Sequence, residues 1–236
     1  FSKITSNVDS LVKMGISVSI RINTDPYTME RVDELFMYFK EKGWFQYKNF
    51  KPYCALLRKE VPIKGEGEDF SKKMFAQSEF FRTFSEKGLK EESGGVFMCQ
   101  DFDVQSILNR LLLGKAVRYK SCFCGAQTGS LIFDPFGDIY SCWDVVGQRE
   151  QRVGYYIPNF TLEKELADKW FNSRISEHKC ANCKYVFFCG GGCLANAMRL
   201  TGKLQSGKCN DFPRLFKYVI QQLYNEKIKR GIDDED

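Results

Sequence analysis

Seven of the ten cysteines fall into one ordered spacing, and that spacing constrains this 236-residue chain more than any other feature. Cys124 is followed after twelve residues by Gly137, and Gly137 after four by Cys142. The run continues as Cys180-x2-Cys183-x5-Cys189-x3-Cys193 and ends, after fifteen intervening residues, at Cys209. Thiolates this close in sequence are metal ligands before they are anything else. A cubic iron-sulfur cluster takes about four soft sulfur donors, so seven or eight converging cysteines suit two clusters better than one. Disulfide frameworks belong to short extracellular domains that cannot bury a core. This chain is 43% hydrophobic and long enough to bury one.

Charge adds little. The 35 basic residues exceed the 30 acidic ones by only five and are spread along the chain, so no block of Lys and Arg argues for nucleic acid. No stretch reads as a signal peptide or a membrane span. The expected compartment is a reducing cytoplasm, with neither nucleic acid nor membrane as partner.

The sequence begins at Phe1 without an initiator methionine, on what reads as the interior of a domain, and is expected to be a C-terminal fragment. Phe1, Ile4, Val8, Leu11 and Val12 recur at helical spacing, with Gly15 as the stop. Residues 16–22 alternate strictly between apolar and polar and read as a strand. Thr28 is expected to cap a second helix bearing Val32, Leu35, Phe36 and Phe39 and closed by Gly43. A second strand is expected over 47–55, with Pro52 against it. This rhythm belongs to a parallel α/β barrel or a doubly wound sheet, although two strands cannot close a barrel. A charged, glycine-bearing loop over 58–68, a helix from Ser71 to about Gly88 and another over 103–113 complete the first part. The domain boundary is placed near Val117, giving segments 1–117 and 118–236. The 21 Phe residues are read as core, with a peptide groove as the alternative.

The cysteine-rich part opens with Cys122-Phe-Cys124-Gly and a hairpin signature. Asp134-Pro135-Phe136-Gly137 sits between apolar runs, where Pro presets the turn and Gly supplies a positive φ. Folding these strands back on each other brings Cys124 and Cys142 toward one end of the ribbon. Farther on, Gly190, Gly191 and Gly192 lie wholly between two ligand cysteines. There they let backbone amides approach cluster sulfurs, where the alternative is a merely flexible loop.

The complete pattern, from Cys124 through Gly137, Cys142, Cys180, Cys183, Cys189 and Cys193 to Cys209, resembles the seven-cysteine motif of the SPASM domain. That domain forms the C-terminal part of many radical S-adenosylmethionine (SAM) enzymes, among them anaerobic sulfatase-maturating enzymes and peptide maturases. The motif covers roughly residues 122–212, and the preceding helix-strand units are similar to the end of a radical SAM partial barrel. The implied fold is α/β plus α+β: the last strands and helices of a partial parallel (β/α) barrel, then a SPASM domain with a β-hairpin and helices. The resemblance also implies two auxiliary 4Fe-4S clusters. The first would be held by Cys124, Cys142 and Cys193, and the second by Cys180, Cys183, Cys189 and Cys209. It further implies S-adenosylmethionine and a third 4Fe-4S cluster in the intact protein, a peptide or protein substrate, and a reductant such as flavodoxin or ferredoxin. Arg21 and Asn23, at the end of the first strand, would face S-adenosylmethionine or simply satisfy the strand terminus.

The chain also departs from the pattern. Sulfatase-maturating relatives carry a further cysteine before the hairpin, and position 118 here is Arg118. Cys122 is the nearest substitute. Residues i and i+2 of an extended strand share a face roughly 6 to 7 Å apart, so Cys122 is either the fourth ligand or a spare thiol beside an open iron. Some relatives place an Asp directly after the cysteine matching Cys142. Here Trp143 stands there and Asp144 follows, which leaves Asp144 as either the catalytic acid or base or a surface carboxylate. The C-x3-C-x2-C loop that holds the radical-generating cluster does not occur, since Asn196 stands where Cys189-x3-Cys193 would need a third cysteine. The fragment alone is therefore expected to be inactive. His178 could replace a thiolate or be a polar surface residue, and Cys54 and Cys99 fit neither block, Cys54 reading as a small buried hydrophobe.

Two rival classes stay open. Cys180, Cys183, Cys189 and Cys209 could bind zinc as an interaction module. The chain could also be a non-catalytic iron-sulfur electron-transfer protein.

Overall fold

The computed structural model describes residues 1–57, 75–100, 102–177, 179–204, 209 and 211–233. The charged loop at 58–68, the helix start at Ser71 and the single histidine, His178, lie outside them. Two compact units are present: Phe1–Asn109 together with Pro213–Asp236, and Arg110–Phe212.

The first unit is built on a parallel sheet. Helix α1 (Ser2–Lys13) buries Val8 and Val12, and strand β1 (Val18–Thr24) follows. The strand starts two residues later than its alternation suggested: Gly15 turns the chain at φ +77°, the Ile16 amide still donates to the Leu11 carbonyl at 3.0 Å, and pairing with the next strand begins only at Val18. Thr28 does not cap the next helix. Asp25 does, its carboxylate accepting the Thr28 amide at 2.7 Å while Pro26 occupies the first turn, and this pulls the Asp25 carboxyl below its usual range. Arg31 leaves helical geometry and divides the expected helix into α2 (Pro26–Glu30) and α3 (Val32–Glu41).

Strand β2 (Phe50–Leu56) pairs in parallel with all of β1, and β3 (Met98–Cys99) adds a third parallel strand beside β2. Pro52 is tolerated because β3 pairs only with Tyr53 and Cys54, so beside Pro52 the strand has a neighbour on one side alone. Helices α4 (Gln77–Glu86) and α5 (Leu89–Glu92) lead into β3, and α6 (Val104–Leu112) follows it. Phe36, Phe39, Trp44, Phe50, Phe80, Phe84 and Phe97 fill the core, and rings such as Phe39 and Phe50 meet edge-on at 5.4 Å. Such ring pairs add about 0.5–1.5 kcal/mol each beyond the area they bury. Cys54 is fully buried among them.

The second unit centres on a hairpin. Strands β4 (Ile132–Phe133) and β5 (Asp138–Tyr140) pair antiparallel, and β6 (Gly154–Tyr155) and β7 (Thr161–Leu162) extend them into a four-stranded sheet of order β4-β5-β6-β7. Buried Asp134 sets the turn, its Oδ1 accepting the amides of Phe136 at 2.8 Å and Asp138 at 2.9 Å. Gly137 turns the chain at φ +101°. Helices α7 (Lys164–Phe171), α8 (Val186–Cys189) and α9 (Leu194–Thr201) complete the unit, packed around Ile139, Tyr140, Val145, Val153, Trp170 and Leu194.

Helix α10 (Phe212–Asp233) returns the chain to the first unit. Its Leu215 and Val219 are buried, and Tyr218 meets Phe81 edge-on at 6.1 Å. Packing therefore groups the last helix with the parallel sheet, where the sequence segments placed it with the cysteines, and the compact units divide at residue 109 instead of 117. Among the described residues no helix is long and apolar enough to cross a membrane.

Candidate metal centre

Three local devices present the first set of sulfurs. Cys124 is extended (φ −155°) just before the short turn Gly125–Gln127, and its carbonyl accepts the Gln127 amide at 3.1 Å. The Gln127 side chain is buried and reaches both ways: Oε1 accepts the Phe123 amide at 2.8 Å, and Nε2 donates to the Ser173 carbonyl at 3.2 Å. That strut pins the segment bearing Cys122 and Cys124 to the end of α7. Cys142 leaves β5 into the turn Trp143–Val145, and Cys193, 5% exposed, is the residue from which α9 starts. Arg199 of α9 donates to the Asp144 carbonyl, so the helix headed by Cys193 holds the turn that follows Cys142.

Electrostatics shows which sulfurs meet. Burial pushes the Cys142 thiol up to about 11; the Asp144 amide opposes this by donating to the sulfur, and the charges of Asp144, Cys193 and Cys124 add to it. Cys124 and Cys193 thus lie near enough to Cys142 for their charges to act on it.

A second set gathers around α8. The Cys183 amide donates to the Cys180 carbonyl at 2.9 Å, closing one tight turn across the x2 pair, and the Val186 amide then donates to the Cys183 carbonyl at 3.0 Å. Burial raises the thiols of Cys180 and Cys189. The charges of Cys183 and Cys209 raise both further, and that of Cys180 also acts on Cys189. The Gly191 amide points back at Cys189 Sγ at 3.4 Å, which partly offsets that rise.

The triple glycine has a steric reason. Gly190, Gly191 and Gly192 all have positive φ, and a Cβ on Gly190 would lie 2.3 Å from the Cys122 carbonyl oxygen. Only glycine fits there. Half-buried Cys122 consequently sits where its segment crosses the Gly190 loop, at the seam between the two sets. Among the described residues no three His, Cys, Asp or Glu side chains close tightly enough to grip a single metal ion. The mutual charge effects say the thiols are neighbours nonetheless. The donor chemistry fits an iron-sulfur group: soft thiols, glycine-lined approach and amides aimed at sulfur.

The remaining candidates are Asp144 in the second unit and Arg21 and Asn23 in the first. Asp144 is half-buried in the turn after Cys142, and its charge reaches that sulfur. Arg21 and Asn23 share the exposed face of β1, where Arg21 Nε donates to Asn23 Oδ1 at 3.0 Å. The Gln127 strut and the Arg199 bond carry no signature in sequence, since a single Gln or Arg names no partner. Nor do the ion pairs of nearly buried Asp138 with Arg149 and Arg152, both at 3.3 Å.

No family model matches the chain. It is 24% identical over 244 aligned positions to the cysteine-type anaerobic sulfatase-maturating enzyme of Clostridium novyi (strain NT), covering 94% of this chain and 59% of that protein. It is also 24% identical to the enzyme so described from Clostridium perfringens (strain 13 / Type A), covering 95% and 60%. The chain thus spans about three-fifths of the length of the curated relatives it matches. A solved structure of tagged anSMEcpe with bound AdoMet aligns with a TM-score of 0.62 at 22% identity, over 95% of this chain and 58% of that one. Native anSMEcpe with bound AdoMet and Kp18Cys peptide aligns with a TM-score of 0.61 at 20% identity, over 95% and 61%. The fold, mixed α/β with a parallel sheet, is shared with those structures.

Proposed function

We propose, taking as premise that the homologues of this chain are anaerobic sulfatase-maturating enzymes, that it is the auxiliary-cluster portion of a radical SAM enzyme that modifies a peptide or protein. In this reading the parallel sheet of the first unit is the end of a partial (β/α) barrel, and the hairpin unit is a SPASM domain. What supports it is that the charges of Cys124 and Cys193 act on Cys142, those of Cys183 and Cys209 act on Cys180 and Cys189, and the Gly190 loop crosses the Cys122 segment between the two groups. Cys124, Cys142 and Cys193 would hold one 4Fe-4S cluster, with Cys122 at the seam as fourth donor or one iron left open. Cys180, Cys183, Cys189 and Cys209 would hold the other.

Bound clusters of this kind supply one-electron exchange at a potential set by charge and by hydrogen bonds to sulfur. The chain's own part is to position and tune. Buried thiols must lose their protons on loading, which couples assembly to pH and to folding. The amides of Gly191 and Asp144 each donate to a ligand sulfur and so stabilise the thiolate form. Asp144, beside Cys142, is the candidate to take a substrate proton. Arg21 and Asn23, linked on the open face of the sheet, are the candidates for the S-adenosylmethionine side. Neither assignment extends to the site of radical generation, because no C-x3-C-x2-C triplet occurs in this sequence.

Anaerobic reconstitution with iron and sulfide tests the reading. The loaded chain should be brown and bind about eight irons with matching acid-labile sulfide. Cys142→Ser should lower the count by about one cluster and leave the other. A colourless preparation with stoichiometric zinc would establish the interaction-module alternative, and four irons or fewer would defeat the two-cluster assignment.

A further inference from the structure

Cys54 and Cys99 belong to neither thiol set, and they are partners in the parallel sheet. In the pairing of β2 with β3, Cys54 stands opposite Cys99. Just past that point the Gln100 amide donates to the Cys54 carbonyl at 2.8 Å. Partners in register project from the same face of a sheet. Both side chains accordingly meet one apolar core: Cys54 is fully buried in it, and Cys99, partly exposed, packs against it. Neighbouring strands lie about 4.8 Å apart, inside the window of about 4.4–6.8 Å that a disulfide allows between Cα atoms. Bridged Cβ atoms prefer about 3.8 Å, so the two strands must draw together by roughly 1 Å. β3 is suited to that movement, having two residues and a neighbouring strand on one side only. A bond closed against such a pull is strained and easily reduced. The two thiols also differ in reactivity. Burial pushes the Cys54 thiol up to about 11, against a hydrogen bond with Thr24, so it holds its proton and attacks poorly. Cys99 is the partly exposed one, in the wall of a narrow cleft that Ser85 and Gln105 also line.

We propose that Cys54 and Cys99 are a reversible thiol-oxidation site, at which exchange with a small-molecule disulfide closes a bond between β2 and β3. The order of events follows from exposure. The Cys99 thiolate attacks one sulfur of the small disulfide and becomes a mixed disulfide, and the first small thiolate leaves and takes up the proton that Cys99 gave up. Cys54 then loses its proton and attacks the Cys99 sulfur, expelling the second small thiolate, which takes up that proton. Two protein thiols are oxidised and one small disulfide is reduced to two thiols. The bond would fasten the edge strand of the sheet to its neighbour and close a loop over the 44 residues between the two cysteines. This inference is independent of the cluster reading, because neither thiol is a candidate ligand.

The test incubates the full chain anaerobically with excess oxidised glutathione, blocks the remaining thiols by alkylation and maps tryptic peptides by mass spectrometry. The peptide of residues 49–58 should be joined to that of residues 91–110 in at least about half of the chains, and dithiothreitol should separate them. Cys54→Ser should leave a glutathionyl group trapped on Cys99, whereas Cys99→Ser should leave Cys54 unmodified. Both variants are checked for folding by circular dichroism before oxidation. In urea that unfolds the chain, the link between Cys54 and Cys99 should lose its preference over other pairings, which shows that the sheet register creates it. Absence of the link in the folded chain, or a link no more frequent there than those to the other eight cysteines, would overturn the proposal. A chain that stops at glutathionylated Cys99 would reduce the site to one modified thiol and overturn it too. Glutathionylation of Cys54 in Cys99→Ser as fast as that of Cys99 in Cys54→Ser would overturn the order of attack.

Discussion

Single atoms decide much of the behaviour expected of the thiol unit. Gly190 is the sharpest case, with φ at +74° and the Cys122 carbonyl 2.3 Å from where a Cβ would sit. Gly190→Ala should cost on the order of 3 kcal/mol in a denaturant titration and lower the iron retained after desalting. In the other core, Cys54 is buried and its thiol is pushed up to about 11, chiefly by desolvation and against a hydrogen bond with Thr24. An acid with a raised native pKa keeps its proton longer when folded, so this stabilisation is complete below about pH 9 and is lost between about pH 9 and 11. Integrated, the loss is about 2–3 kcal/mol. Cys54→Ala should flatten that stretch of the stability curve by a similar amount, a difference that paired urea titrations would resolve. Part of this scale is legible in sequence: spacing groups the thiols of Cys180, Cys183 and Cys189, and Cys54 on an apolar strand reads as buried, as it is. What spacing cannot convey is the seam. Cys122 meets Gly190 across 68 residues, and no local pattern encodes that contact.

Length helped an element to be readable but did not decide it, since α10, at 22 residues, was not among the expected helices. α1, α3, α4 and α6 each span nine residues or more, so several turns of periodicity stand above chance. β3, β6 and β7 have two residues each, too few for alternation to register, and they form only because a neighbouring strand supplies hydrogen bonds. Cap chemistry explains the misplaced start of α2. Asp25 and Thr28 are both good capping residues, and Pro26 decides between them by favouring the first turn after Asp25. The hairpin depends on one carboxylate. Asp134→Ala removes the acceptor of two amides at the β4–β5 turn and should destabilise that unit by about 2–4 kcal/mol, monitored by near-ultraviolet dichroism. Arg199→Ala should act more narrowly. It frees the turn after Cys142 without opening the core, so iron should dissociate faster from the first set while the thermal midpoint moves little.

At the scale of the molecule, α10 decides how the chain is divided. Because Leu215 is fully buried in packing with the first unit, Leu215→Ala should lower that unit's stability by about 2–5 kcal/mol. Calorimetry of the variant should show the melting step of the first unit moving down while that of the thiol unit stays. The sequence offered no hint of this return: the segment after the last cysteine was grouped with the thiols, and nothing local to it names the core it covers. The topology has a further effect on durability. The thiol unit leaves the first unit at Asn109 and rejoins it at Pro213, so it is an insertion fastened at both ends. A protease that nicks either connection cannot release it: one junction stays covalent, and after the other is cut α10 still grips its seat. Shedding the sulfur-bearing unit would take two separate cuts, which makes that unit harder to lose in a crude extract than a domain hung on a single linker.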